Sequence, residues 1–308
     1  MNLSSTVPRR LGKLFAPLSA LAIHSVLVMN NVSANEFTAE LGLETQLFAK
    51  SPMHEEQTRH NASTSLKLDY YHDWDDGNKR ISFTGFARAD ANDNERTHGD
   101  IRELYYWQTL ENDIEVYAGI RHVFWGVTET RHLVDVINQT DAVENIDGED
   151  KLGQPMVSML VERDWGTIEA FALIGSRERT FAGREGRLRA ALPINQDDAI
   201  YQSGAEESHV DWALRWSQVV GDWDIGLTLF HGNNREAGFR LNAKDKVLNP
   251  HYSTISQLGV DLQYTGDSLL LKWESIFRNG QGRNFFAAVA GLEYTFYQVL
   301  GSEKDLGV

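Results

Sequence analysis

The sequence predicts an all-β fold: an antiparallel transmembrane β-barrel with about twelve strands present, complete in itself or part of a larger barrel. Three observations predict it. From Glu36 onward, segments of roughly 10–13 residues alternate apolar and polar side chains, the period of a strand with two unlike faces. The connections between them are short Gly/Asp turns and long polar loops by turns. Trp and Tyr gather near segment ends, at Trp74, Trp107, Trp165, Trp223 and Tyr264, as an interfacial girdle requires.

Composition bounds the rest. The chain has 308 residues, no cysteine, 42% hydrophobic residues and a mean hydropathy of -0.39. Without cysteine there are no disulfides, thiolate metal sites or Cys nucleophile. A net charge of -15 argues against nucleic acid as a partner, which needs a basic surface. No segment after the N-terminus is apolar for long enough to form a membrane-spanning helix, and barrel strands do not need one.

Residues 1–34 read as a signal peptide. Arg9, Arg10 and Lys13 give a positive start, Leu14 to Met29 an apolar run, and Val32-Ser-Ala34 a small-x-small cleavage pattern. The bland alternative is an N-terminal anchor or an amphipathic helix. Cleavage after Ala34 leaves a mature charge of -15 - 3 = -18. Residues 35–308 are then a single barrel domain.

The first strand sets Phe37, Ala39, Leu41 and Leu43 against Thr38, Glu40, Gly42, Glu44 and Gln46. After a loop to Asn61, the second sets Leu66, Leu68 and Tyr70 against Ser65, Lys67, Asp69 and Tyr71. The turn from Asp75 to Asn78 has hairpin chemistry. The third alternates Ile81, Phe83, Gly85 and Ala87 with Arg80, Ser82, Thr84, Phe86 and Arg88. The fourth, near Ile101 to Thr109, is aromatic and its facing is ambiguous. Ile114, Val116, Ala118 and Ile120 make one face of the fifth, and Glu115, Tyr117, Gly119 and Arg121 the other. A long acidic loop near 124–156 follows, with one apolar patch at Leu133 to Ile137. Val157, Met159 and Val161 form the sixth strand, and Ile168 to Ile174 the seventh. A second long loop covers 176–208. Val210 to Ser217 and Trp223 to Leu229 are the eighth and ninth, followed by a third long loop near 232–252. Gln257 to Tyr264, Leu269 to Glu274 and Phe286 to Phe296 complete the set. A sandwich also has alternating strands, but nothing in its physics lengthens every second connection.

Gly119-Ile-Arg-His-Val-Phe-Trp-Gly126, followed by Asp135-Val-Ile-Asn-Gln-Thr-Asp141, resembles porin-like outer-membrane proteins of Gram-negative bacteria. Gln139 stands where that group often has Pro. Gly183 to Arg189 and Gly221 to Ile225 also look like its uncharacterised members. The resemblance covers Phe37 to the end. It implies passive or loosely selective passage of solutes, contact with outer-membrane lipid and lipopolysaccharide, and handling by the barrel-insertion machinery. It leaves a homo-oligomer open. Such barrels commonly end on an aromatic residue, whereas this chain ends Gly301 to Val308. A chain truncated before its last strand is therefore expected; closure at twelve strands, with Gly291 to Phe296 as the closing signal, is the alternative.

Candidate pore-lining residues are Arg80, Arg88, Glu115, Arg121, Arg215, Lys272 and Glu274. The four arginines share the polar face. They form either a basic ladder opposite the acidic loop or ordinary wall ion pairs. Trp125, Asp135, Asn138, Asp141 and Asp147 are candidates for a constriction formed by the loop after Arg121. Asn145 to Asp150 loosely resembles a calcium loop but lacks its ligand spacing and closing Glu, so a solvated acidic loop is the better reading. No metal or cofactor is expected. His122, His132, His209 and His231 show no metal spacing, and no nucleophile elbow is present, so an enzyme is not expected. The sequence thus points to an exported outer-membrane channel for small hydrophilic solutes. A non-conducting structural or adhesion barrel is the first rival and an outer-membrane hydrolase the second.

Overall fold

A computed structural model of the chain describes residues 21–29, 35–145 and 147–308. Among them are the strands β1 (Leu21–Met29), β2 (Asn35–Leu47), β3 (His60–Trp74), β4 (Lys79–Asp90), β5 (His98–Leu110), β6 (Ile114–Arg121), β7 (Gln154–Arg163), β8 (Gly166–Ile174), β9 (Ile200–Tyr201), β10 (Val210–Val220), β11 (Trp223–Asn233), β12 (Gly238–Asn242), β13 (Val247–Tyr252), β14 (Thr254–Thr265), β15 (Leu269–Asn279), β16 (Phe285–Phe296) and β17 (Leu306–Gly307). The alternating segments of the sequence are β2 to β8, β10, β11 and β14 to β16. A 14-stranded sheet takes its strands in chain order, and β12, β13 and β9 form a separate 3-stranded sheet. Neighbours in the large sheet run antiparallel, as hairpin connections dictate.

Closure is where expectation and structure part. Among the described residues the large sheet is open, ending at β1 on one side and β17 on the other. The reason is local. β1 pairs with β2 from Leu21↔Thr45 to Met29↔Phe37, occupying the β2 edge that closure would use. The rest of the expected leader, residues 1–20 and 30–34, lies outside the described residues.

The two faces of the sheet differ as the alternation demands. On β11, Leu227 and Leu229 are each 42% exposed, while Thr228 between them is 2% exposed. Leu41, Ile81, Met159, Trp212, Leu258, Trp273 and Phe286 repeat this outward exposure on other strands. Ser158, Asp211, Gln257, Asp261 and Glu274 are buried on the opposite face. This inverts the soluble rule, in which a sheet buries its apolar face.

The sheet curls around its polar face. Gly183 N–H donates to Asp93, between β4 and β5, while the ring of Phe181 lies 5.6 Å from Phe239, between β11 and β14. Those connections stand six strand spacings apart, about 29 Å on a flat sheet. Two residues of chain cannot span that distance, so the two halves of the sheet face each other.

Every long connection emerges at one end of this trough and the short turns at the other. Three details escape the sequence pattern. In β5 the register against β4 slips at Thr84/Gly85, leaving Arg102 as an extra, inward residue between Ile101 and Leu104. That bulge breaks the alternation and explains the ambiguous facing of the strand. Trp107, expected in the girdle, lies on the inner face, where its indole donates to Glu115. The third long loop holds the hairpin of β12 and β13, and β13 pairs in parallel with β9 from the second long loop.

Candidate functional site

The loop of residues 122–153 lies on the concave face of the trough. Its apolar patch docks there: Val134, Val136 and Ile137 are at most 2% exposed and pack with Trp125, Met156, Phe171, Leu173, Ala213, Phe230, Ile255 and Ile276. Burying side chains of this size stabilises docking by roughly 1.5–3 kcal/mol each. Glycine permits the close approach. A Cβ on Gly259 of β14 would sit 3.0 Å from Val134. A Cβ on Gly126, whose φ is +135°, would meet Glu274 at 2.8 Å.

Polar groups from opposite walls then fix both halves of the loop. On the far wall, Glu274 is fully buried and accepts from the amides of Val127, Thr128, Leu133 and Val134 and from the Thr128 hydroxyl. Arg235 donates to the Ile137 carbonyl, and Gln257 to that of Leu133. On the near wall, Arg88 binds Glu144 through two nitrogens and reaches Glu44 at 3.1 Å. Arg96 donates to the carbonyls of Val143 and Glu144. Arg102 pairs with Asp141, and Thr180 donates to the same carboxylate. Asn138 closes the loop on itself: its side chain accepts from Val123 and donates to the carbonyls of Arg121 and Leu152.

The carboxylates respond to this environment. Burial alone would raise the pKa of Asp141. Hydrogen bonds from His98 and Thr180 and the charge of Arg102 override it, holding the group at about 2. Asp135 goes the other way: burial pushes its pKa up, against the opposing charge of Lys151 at 3.0 Å. His98, Asp141 and Glu144 bring ligand atoms within 4.8 Å of one another. Arg88 and Arg102 already neutralise those acids, so a divalent cation would have to displace two guanidinium groups.

The seven wall candidates all face the trough, but their chemistry is pairing. Arg80 binds Asp73, Arg121 binds Glu169, and Arg215 grips Asp261 with both terminal nitrogens. Lys272 bridges Glu129 and Glu293, and Glu115 accepts from Trp107 and Tyr117. With Arg88 on Glu144 as well, the four arginines are wall ion pairs and not an unpaired ladder. The structure gathers Arg88, Arg121, Arg215, Lys272 and Glu274 around the loop. Arg80 and Glu115 lie near the short-turn end. Of the loop candidates, Trp125, Asp135, Asn138 and Asp141 are embedded, with Trp125 edge-on to Phe171 and its ring 5.6 Å from the Arg215 guanidinium. Asp147 sits apart at an exposed tip, where it accepts from the Glu149 amide. His122 Nε2 donates to the Lys151 carbonyl at 2.7 Å.

Sequence reasoning missed Arg96, Arg102, Arg235 and Gln257. Only Arg102 left a trace, the broken alternation around it. The loop separates two cavities. One of about 440 Å³ lies on the long-loop side, against Ala142, Val143 and Glu144. One of about 320 Å³ lies on the other side, against Val123, Phe124 and Trp125.

No model of a known protein family matches the chain, and no curated protein matches it. The likeness to porin-like proteins therefore rests on the motifs of the sequence alone.

Proposed function

We propose that the chain is an outer-membrane β-barrel channel for passive diffusion of small hydrophilic solutes, narrowed by the loop after Arg121. The observation that carries this reading is the inverted sheet. Apolar side chains stand exposed on the convex face, while charged groups and a docked loop fill the concave one. Lipid is the solvent that suits such a convex face, and water suits the concave one. Closure is part of the proposal. Without β1 and β17 the sheet keeps twelve strands, an even number, so β2 and β16 would meet antiparallel. Removal of the leader would bare the β2 edge for that pairing, and closed edges are what a bilayer demands. The long loops would then face outward and the short turns the periplasm.

The density of the apolar cluster beneath the loop favours one second reading, a plugged barrel with a structural role. Planar-bilayer recording of the purified protein separates the two. Discrete conductance steps are expected; a silent membrane, with insertion verified by protease protection, would leave the plugged barrel standing.

A further inference from the structure

The wall arginines are paired with acids; three that line the outer cavity are not. Arg179, Arg187 and Arg189, all from the second long loop, line the 440 Å³ cavity on the outer side of the constriction. Arg187 donates to the backbone carbonyls of Lys50 and Ser51 and stacks near Phe48. Arg189 donates to the carbonyls of Arg184, Ala190 and Ala191. Arg179 Nε is buried with no partner at all. Carbonyls satisfy donors but leave the charge standing. Among the described residues, these three guanidinium groups have no carboxylate partner.

The other charges at the cavity are accounted for. Arg96 is balanced by Glu44 and Asp90. Glu144 is held by Arg88, and Asp93 accepts from the amides of Gly183 and Glu95. Glu185 and Asp93 are the acids that remain, since amides satisfy Asp93 without neutralising it, and three guanidinium groups outnumber them. The cavity is thus a basic spot in a chain of net charge -15. Phe181, Leu188 and Ile194 complete its wall with apolar surface. Its volume lies in the range that takes small ligands, at roughly 300–1,000 Å³. A guanidinium fork matches a carboxylate in shape and charge.

We propose that this cavity binds small organic acids, the carboxylate at Arg179, Arg187 and Arg189 and the apolar body against Phe181, Leu188 and Ile194. It names the solute class of the proposed channel, and rests on that reading only for its part in transport. A solute held there waits one loop above the constriction, and an anion is enriched over a neutral molecule of the same size.

The test is calorimetric titration of the full-length protein in detergent with benzoate, benzyl alcohol and inorganic phosphate, which needs no conductance. Saturable benzoate binding is expected, at least tenfold tighter than either comparator. Arg179→Gln should weaken it about tenfold, and Arg187→Gln and Arg189→Gln several-fold each. Glu185→Gln should tighten it several-fold, an effect that misfolding cannot produce. Benzoate binding that is absent, matched by phosphate or benzyl alcohol, or unchanged in all four variants overturns the assignment. Benzoate binding by a protein silent in bilayers would overturn the channel and leave the site.

Discussion

Glu274 and Thr128 stand 146 positions apart, yet one carboxylate oxygen of Glu274 accepts both the amide and the hydroxyl of Thr128, at 2.9 and 2.7 Å. The other oxygen accepts from Leu133 and Val134. A single buried side chain on β15 therefore organises the start of the loop of residues 122–153. Glu274→Gln halves the acceptor set and removes the charge that strengthens each bond. Breaking such a buried array costs on the order of 3–5 kcal/mol. Hydrogen exchange at the amides of Val127, Thr128, Leu133 and Val134 should accelerate at least a hundredfold while the strands stay protected. Unchanged protection would show that the apolar cluster alone holds the loop.

Leu227 tests what lies outside. It sits near the middle of β11, pairs with Val260 of β14 and is 42% exposed. In water, an exposed Leu→Arg change shifts stability by about 0.5 kcal/mol or less. At the middle of a bilayer it costs roughly 2–4 kcal/mol. Leu227→Arg should therefore lose that much stability in refolding from urea into lipid vesicles. A change under 1 kcal/mol would count against lipid on this face.

Arg88 and Glu144 form a pair in which the Glu144 side chain is 3% exposed. Arg88→Gln leaves that carboxylate without its main partner and should cost about 3–5 kcal/mol. Adding Glu144→Gln should recover more than half of the loss. The coupling is read by a double-mutant cycle in chemical unfolding, and additive losses would mean that the two residues act independently.

Asp141 gives the loop a pH dependence. Its pKa falls from an ordinary 3.8 to about 2 when the loop is docked. A carboxyl depressed in this way stabilises the docked state fully above the ordinary value and loses the contribution as pH falls through about 2. The stabilisation is on the order of 2 kcal/mol. Protease cleavage within residues 122–153 should thus rise between pH 4 and pH 2, read with an acid-stable protease. Asp141→Asn cannot titrate, and its loop should be cleaved readily already at pH 4. A wild-type profile flat across this range would exclude Asp141 as the anchor.

The strands were legible because the signal was local. Leu227, Thr228 and Leu229 report two faces through three adjacent residues, and every one of the twelve alternating segments became a strand. The face of β5 was not legible, since the bulge at Arg102 puts Ile101 and Leu104 on the same side across an odd interval. The hairpin of β12 and β13 hides within a loop-like stretch of sequence, although Phe239, Arg240, Leu241 and Asn242 alternate; four residues are too few to stand out beside polar flanks. The site was legible as a set of charged residues facing inward. Which acid meets which base was not, because Arg88 finds Glu144 and Glu274 finds Thr128 only after the trough has curled.

The parallel pairing of β13 with β9, His251↔Ile200 and Tyr252↔Tyr201, stitches two of the long connections to each other. Tyr201 and Tyr252 stack at 5.2 Å across that seam, and Tyr252 also accepts from the Arg179 amide. The rim is therefore a linkage and not a fringe of independent flaps. Shortening one connection would drag on the other, so a deletion tolerated in an isolated surface loop would here be transmitted along the seam to Arg179.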